Sequence, residues 1–137
     1  MKIKRALNIL LATLLLTPFC ALSQQSDNDR SRLSTQSIFS IGNNGFVGAT
    51  GEGERLYLEI LAREDSAAIF TAIITSKTST LEGKLYAACG LKKKGTAPPL
   101  PENITGNTDN TVTTLKGDIL RKERFDELYR SITLHGC

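Results

Sequence analysis

Hydrophobic positions along this chain fall into helical phase three times in succession. Leu56, Tyr57, Ile60 and Leu61 stand at i, i+1, i+4 and i+5, the stripe that lets one helix face meet a core. Ile69, Phe70, Ile73 and Ile74 repeat that spacing, although their β-branched members also suit a strand. Leu81, Leu85, Tyr86, Ala88 and Cys89 make a third stripe in KLYAACGLKKKG, which ends in Lys92, Lys93 and Lys94 before Gly95. Cations there suit the negative end of a helix dipole, and glycine suits the residue just past a helix. A last stripe, Phe125, Leu128, Tyr129 and Ile132, follows VTTLKGDIL, which reads as a small hairpin turning at Lys116-Gly117. Thr50 and Ser66 stand as N-caps, and Ser79 with Glu82 forms a capping box. The pattern predicts a mainly α, antiparallel helical domain, with helices over 51–63, 67–75, 80–93 and 123–134. One short hairpin is expected within 111–121, and regular structure is expected to begin only at Thr50.

Two stretches break the pattern. Thr96 to Thr111, TAPPLPENITGNTDNT, is proline-rich and long for a connection in a compact domain, which marks it as a candidate contact surface. Gln24 to Ser37 is polar apart from Leu33 and reads as part of a flexible leader over 24–44, with a turn at Gly42-Asn43-Asn44-Gly45. Ahead of it, Lys2, Lys4 and Arg5 precede the apolar run Ala6 to Leu16, then Pro18 and Ala21-Leu22-Ser23. That is the layout of a signal peptide over 1–23, too short in its apolar part to span a bilayer. Cleavage is expected after Ser23, releasing a periodic single domain over 45–137 behind its leader into the periplasm or the medium. Lipidation at Cys20 is the competing reading, but Phe19 is large where a small residue normally precedes a lipidated cysteine.

Export changes the charge. The whole chain carries 17 Lys and Arg against 14 Asp and Glu, and three of the cations precede the cleavage site. The exported chain would be close to neutral, without the excess of cations that a nucleic-acid-binding domain needs. No nucleic-acid partner and no stable membrane insertion are therefore expected. Export also leaves two of the three cysteines, Cys89 and Cys137, an even number for an oxidising compartment. A disulfide between them would close a loop of about 50 residues, worth roughly 4 kcal/mol in chain entropy.

Reactive chemistry is sparse. The single histidine, His135, stands two residues from the end, too isolated for a histidine zinc motif or a Ser-His-Asp triad. The glycines of GNNGFVGATGEG lack the strand and lysine of a phosphate loop. No catalytic, cofactor-binding or metal-binding residue is assigned. Carboxylates at Glu52, Glu54, Glu59, Asp126 and Glu127 are the only groups offered for acid-base work.

From Gly45 to Lys92 the string GFVGATGEGERLYLEILAREDSAAIFTAIITSKTSTLEGKLYAACGLK resembles a family of small exported bacterial helical proteins. The family shares a Val-Gly-x-x-Gly start and a Gly-Lys-Leu-Tyr-Ala-x-x-Gly-Leu helix, here Gly83 to Leu91. Some members are linked to microcin gene clusters and named as immunity-like. The family's distal hairpin commonly has Gly-Cys where this chain has Gly117-Asp118, so Cys137 is the substitute partner for Cys89. The resemblance implies a non-catalytic binding protein with a protein partner, and it carries no catalytic residues over. The alternative from another class is a carboxylate-dependent enzyme acting on an envelope polymer.

Overall fold

The computed structural model of the chain describes residues 20–42, 48–102 and 110–137. The predicted signal segment up to residue 19, the centre of the predicted turn at 43–47 and residues 103–109 of the long loop lie outside the described residues. Among the described residues, five helices and one hairpin follow in order: α1 (Cys20–Ser34), α2 (Glu52–Leu61), α3 (Ser66–Thr75), α4 (Leu81–Lys93), β1 (Thr111–Lys116), β2 (Ile119–Arg124) and α5 (Phe125–His135). The protein is thus mainly helical, with a two-stranded antiparallel hairpin before the last helix.

Helix α4 is the axis of the fold. It packs against each of the other helices and against β1. Nine consecutive residues, Gly83 to Leu91, are buried, so this helix has no solvent face over its middle turns. The sequence pattern suggested one apolar side; the structure encloses the whole circumference. Small residues make that possible. A Cβ on Gly83 would stand 2.8 Å from the Leu33 carbonyl oxygen, and one on Gly90 would stand 2.2 Å from the Phe70 ring. Both positions let a neighbouring helix come closer than any side chain allows. Leu56, Ile60, Phe70, Ile73, Ile74, Leu85, Leu91, Val112 and Phe125 fill the surrounding core with at most 1% exposure. Each such side chain contributes about 1.5–3 kcal/mol on burial.

Several local details differ from the sequence reading. The stretch read as leader forms α1, and it is anchored rather than free because Leu33 is fully buried and Asp29 is 5% exposed. One apolar anchor in a polar segment is enough where a glycine on the facing helix admits its backbone. Regular structure therefore begins well before Thr50. Helix α2 starts at Gly51, whose backbone caps without a side chain, rather than at Thr50. Helix α3 takes Asp65 as its N-cap, and Ser66 is buried inside its first turn. At α4 the cap is Thr80, whose hydroxyl accepts the Gly83 N–H at 3.0 Å. Glu82 does not complete a capping box with Ser79. It accepts the Thr113 N–H at 2.9 Å and so fastens β1 to the central helix.

The helix end at the triple lysine is as the pattern implied, with Gly95 at φ +75°. Lys92 goes further and donates to the Thr133 carbonyl at 2.7 Å, close to the end of α5, where a cation is favoured. Cys89 is 2% exposed, and Cys89 and Cys137 lie at disulfide distance, with Cα atoms 5.7 Å apart. That separation is in the usual range for a bonded pair.

Candidate functional site

The hairpin is built around a tight turn at Gly117-Asp118, one residue later than the sequence suggested. Lys116 faces Ile119 across it, and Gly117 takes φ +62° as the first of the two turn residues. Two-residue loops with glycine first match the twist of the flanking strands. The register runs from Lys116 opposite Ile119 to Thr111 opposite Arg124.

A third segment completes this small sheet. Phe39 donates its N–H to the Thr113 carbonyl at 2.8 Å and accepts the Leu115 N–H at 3.0 Å, a parallel bridge along the inner edge of β1. Tyr86 of α4 holds the same segment from the core side. Its hydroxyl accepts the Ser40 N–H at 2.9 Å, lies 3.0 Å from the Ser40 carbonyl and stacks edge-on against Phe39 at 4.9 Å between centroids. Gly53 gives the phenol its room, because a Cβ there would stand 2.5 Å from the Tyr86 hydroxyl oxygen.

Between this strap, the start of α2 and the hairpin tip lies an open groove of about 700 Å³. Ile38, Leu115 and Leu120 supply its apolar walls, Gly51 and Gly53 its near edge, and Tyr86 its floor. Ile119 and Leu120 at the tip are 56% and 58% exposed, and Ile38 is 37% exposed. A smaller cavity of about 280 Å³ lies on the other side of the strap, where Thr114 Oγ1 and Glu123 Oε2 are buried without a hydrogen-bond partner. It is large enough for a water molecule to serve both oxygens.

The titratable groups divide into spectators and structural members. Burial pushes the Tyr86 phenol up to about 12, partly offset by its Ser40 bond, so it remains neutral at physiological pH. Burial also pushes Tyr129 up to about 12, and Tyr129 donates to the Pro99 carbonyl, which ties the start of the long loop to α5. Lys84 is 2% exposed in the middle of α4; desolvation lowers its pKa, and Glu102 acts against that shift.

The carboxylates offered for acid-base work are dispersed among separate partners. Glu52 pairs with Arg32, Glu59 with Arg55 at 2.7 Å, and Asp126 with Arg124 at 2.6 Å. Glu127 lies 3.5 Å from that same Arg124. The Arg124 hydrogen bond holds Asp126 below the usual carboxylate range, which favours the ionised form over a proton donor. Glu54 accepts the Gly42 N–H at 2.9 Å and leaves its second oxygen buried without a partner. His135 is exposed near the end of α5. Among the described residues, no three His, Cys, Asp or Glu side chains gather so as to hold a metal ion. No described helix is long and apolar enough to cross a membrane.

The long loop, expected as a contact surface, is described only in part: Pro98 and Pro101 are buried against the body, and Leu100 is 75% exposed. The hairpin tip and its groove were missed by sequence reasoning. The available signal was Ile119-Leu120, an apolar pair directly after a Gly-Asp turn and directly before four charged residues, Arg121 to Arg124. Comparison with family models, with curated proteins and with solved structures finds no match to this chain.

Proposed function

We propose that this protein is an exported, non-catalytic binding protein that engages a protein partner in the bacterial envelope, in the manner of an immunity protein or a modulator. The observation that carries this reading is the exposed apolar tip, Ile119 and Leu120, projecting beside the apolar groove. Large apolar side chains exposed at a turn cost solubility, and the apolar surface that Leu120 makes with Ile38 and Leu115 around the groove is of the kind that marks interaction sites. The tip is also well positioned mechanically. Glu82, the Phe39 strap and the β1–β2 ladder all fix it to the central helix, so contact would lose little loop entropy. Compartment and resemblance to microcin-linked proteins support the same reading from the sequence.

The test is crosslinking in the native envelope with the wild-type chain and with Leu120→Asp. A specific crosslinked species that disappears in the variant, while the variant keeps its thermal midpoint, is the expected result. Equal capture by both would place the contact elsewhere. Mass spectrometry of the same preparation should find Gln24 or its cyclised form at the amino terminus, and an acylated Cys20 would contradict it.

A further inference from the structure

The outer edge of β2 is open. In a two-residue hairpin the pair flanking the turn exchanges both backbone bonds, so Lys116–Ile119, Thr114–Arg121 and Val112–Glu123 are the hydrogen-bonded pairs. The phase is fixed independently, because the Thr113 carbonyl and the Leu115 N–H are spent on Phe39 and the Thr113 N–H on Glu82, all at the other edge. It follows that Leu120 and Lys122 turn their N–H and C=O groups outward, followed by the N–H of Arg124, whose carbonyl opens α5, and no described strand pairs with them.

Charge selects what can pair there. Arg124 is neutralised by Asp126, and Glu123 by Lys116. Lys122 has only the neutral Thr113 hydroxyl, at 2.6 Å, and Arg121 has no partner among the described residues. These two uncompensated cations point to opposite faces of the strand, flanking the open backbone edge. A second copy of β2 is a poor occupant, since antiparallel self-pairing centred on either cation would set Arg121 against Arg121 or Lys122 against Lys122. Lysine and arginine on an edge strand commonly serve only to prevent aggregation. A strand so protected does not also expose a leucine, Leu120, at the start of the same edge where it lines an apolar groove.

Resting on the binding reading above, we infer that the partner contributes an extended acidic segment that adds to β2 as a further strand. Its backbone pairs with Leu120, Lys122 and Arg124, its carboxylates meet Arg121 and Lys122, and an apolar side chain of it enters the groove beside Leu120. This is recognition by strand addition, in which main-chain bonds give affinity and side-chain pockets give selectivity.

The experiment uses the full exported chain and two synthetic peptides, Thr-Val-Glu-Asp-Val-Thr, whose adjacent acidic residues reach opposite faces of the strand, and its counterpart with lysine at each acidic position. The acidic peptide should bind and slow amide exchange at Leu120, Lys122 and Arg124, and the basic peptide should not. Lys122→Pro should weaken binding at least tenfold without moving the thermal midpoint, because proline is tolerated where the N–H points away from the ladder. Lys122→Gln, which keeps the N–H, should weaken it less. No binding of the acidic peptide at millimolar concentration overturns the inference. So does binding that leaves those amides unprotected, or equal binding by Lys122→Pro. Crosslinking Lys122→Pro in the native envelope separates the two claims. Undiminished capture with dependence on Leu120 would keep the binding reading and remove strand addition; capture that ignores Leu120 would remove both.

Discussion

Tyr86 and Ser40, far apart in sequence, close a two-way hydrogen bond: the phenol accepts the Ser40 N–H at 2.9 Å and lies 3.0 Å from the Ser40 carbonyl. This buried pair joins the central helix to the strap that backs the hairpin. Tyr86→Phe keeps the ring contact with Phe39 but removes the polar link. The expected loss is about 1–3 kcal/mol, the usual cost of breaking a buried hydrogen bond. Denaturant unfolding measures it, and amide exchange at Ser40 should quicken. A loss below about 0.5 kcal/mol would show that the strap is held from the β1 side alone.

Gly90 and Gly83 test whether close approach shapes the core. Alanine normally favours a helix interior by up to about 1 kcal/mol over glycine. Here the added methyl would meet the Phe70 ring at 2.2 Å or the Leu33 carbonyl at 2.8 Å. Overpacking of this kind costs about 1–3 kcal/mol, so both variants should melt lower in spite of the propensity gain. At Gly51 a Cβ meets nothing within 4 Å, so Gly51→Ala should show no overpacking, only the cost of alanine at an N-cap, about 0.5–1 kcal/mol.

The pH profile should bend in the alkaline range. Tyr86 and Tyr129 keep their protons up to about 12 when folded, against 10.0 for an ordinary phenol. Between those values the unfolded chain binds fewer protons, so stability falls as pH rises from about 10 towards about 12. Lys84 acts in the opposite sense. Its folded pKa is lowered from 10.5, so the unfolded chain binds more protons below 10.5 and stability rises with pH through that window. Urea unfolding from pH 7 to 11.5 should show the rise disappear in Lys84→Met and the fall become shallower in Tyr129→Phe. An unchanged profile in Lys84→Met would contradict the buried charge.

For the cysteines, Cys89→Ala and Cys137→Ala should each lower stability, and the double variant should be little worse than either, because both changes break one bond. The loss expected for a bridge spanning 48 positions is roughly 4 kcal/mol. Cys89 is buried and Cys137 exposed, so serine at 89 should cost more than serine at 137. Two free thiols in protein purified from its native source without reductant would reject the bond.

The helices of the core were legible because their apolar stripes are periodic, down to the β-branched Ile69 to Ile74 stretch, where the helical spacing outweighed strand propensity. Helix α1 was not, because one buried Leu33 in a polar run carries no period. Its docking depends on Gly83, whose meaning appears only when a second backbone lies against it. The same holds for the Gly83 to Leu91 motif: Gly83 and Gly90 admit neighbours, Tyr86 anchors the strap, and Leu85, Ala87 and Leu91 fill the interior. Its regularity in sequence reflects packing rather than chemistry. The groove was hidden for a different reason. It is formed by three segments, around residues 38, 51 and 120, which no local pattern brings together.

The most direct measurement of the central claim is site-specific photocrosslinking in the native envelope, with the probe placed at Leu120 and, as control, at the exposed Ala68 of α3. The expected result is one discrete protein adduct from Leu120, competed by unlabelled wild-type chain and not by Leu120→Asp, and none from Ala68. An adduct pattern that is the same at both positions, or no adduct at Leu120 from correctly exported and folded protein, would contradict the hairpin groove as a binding surface.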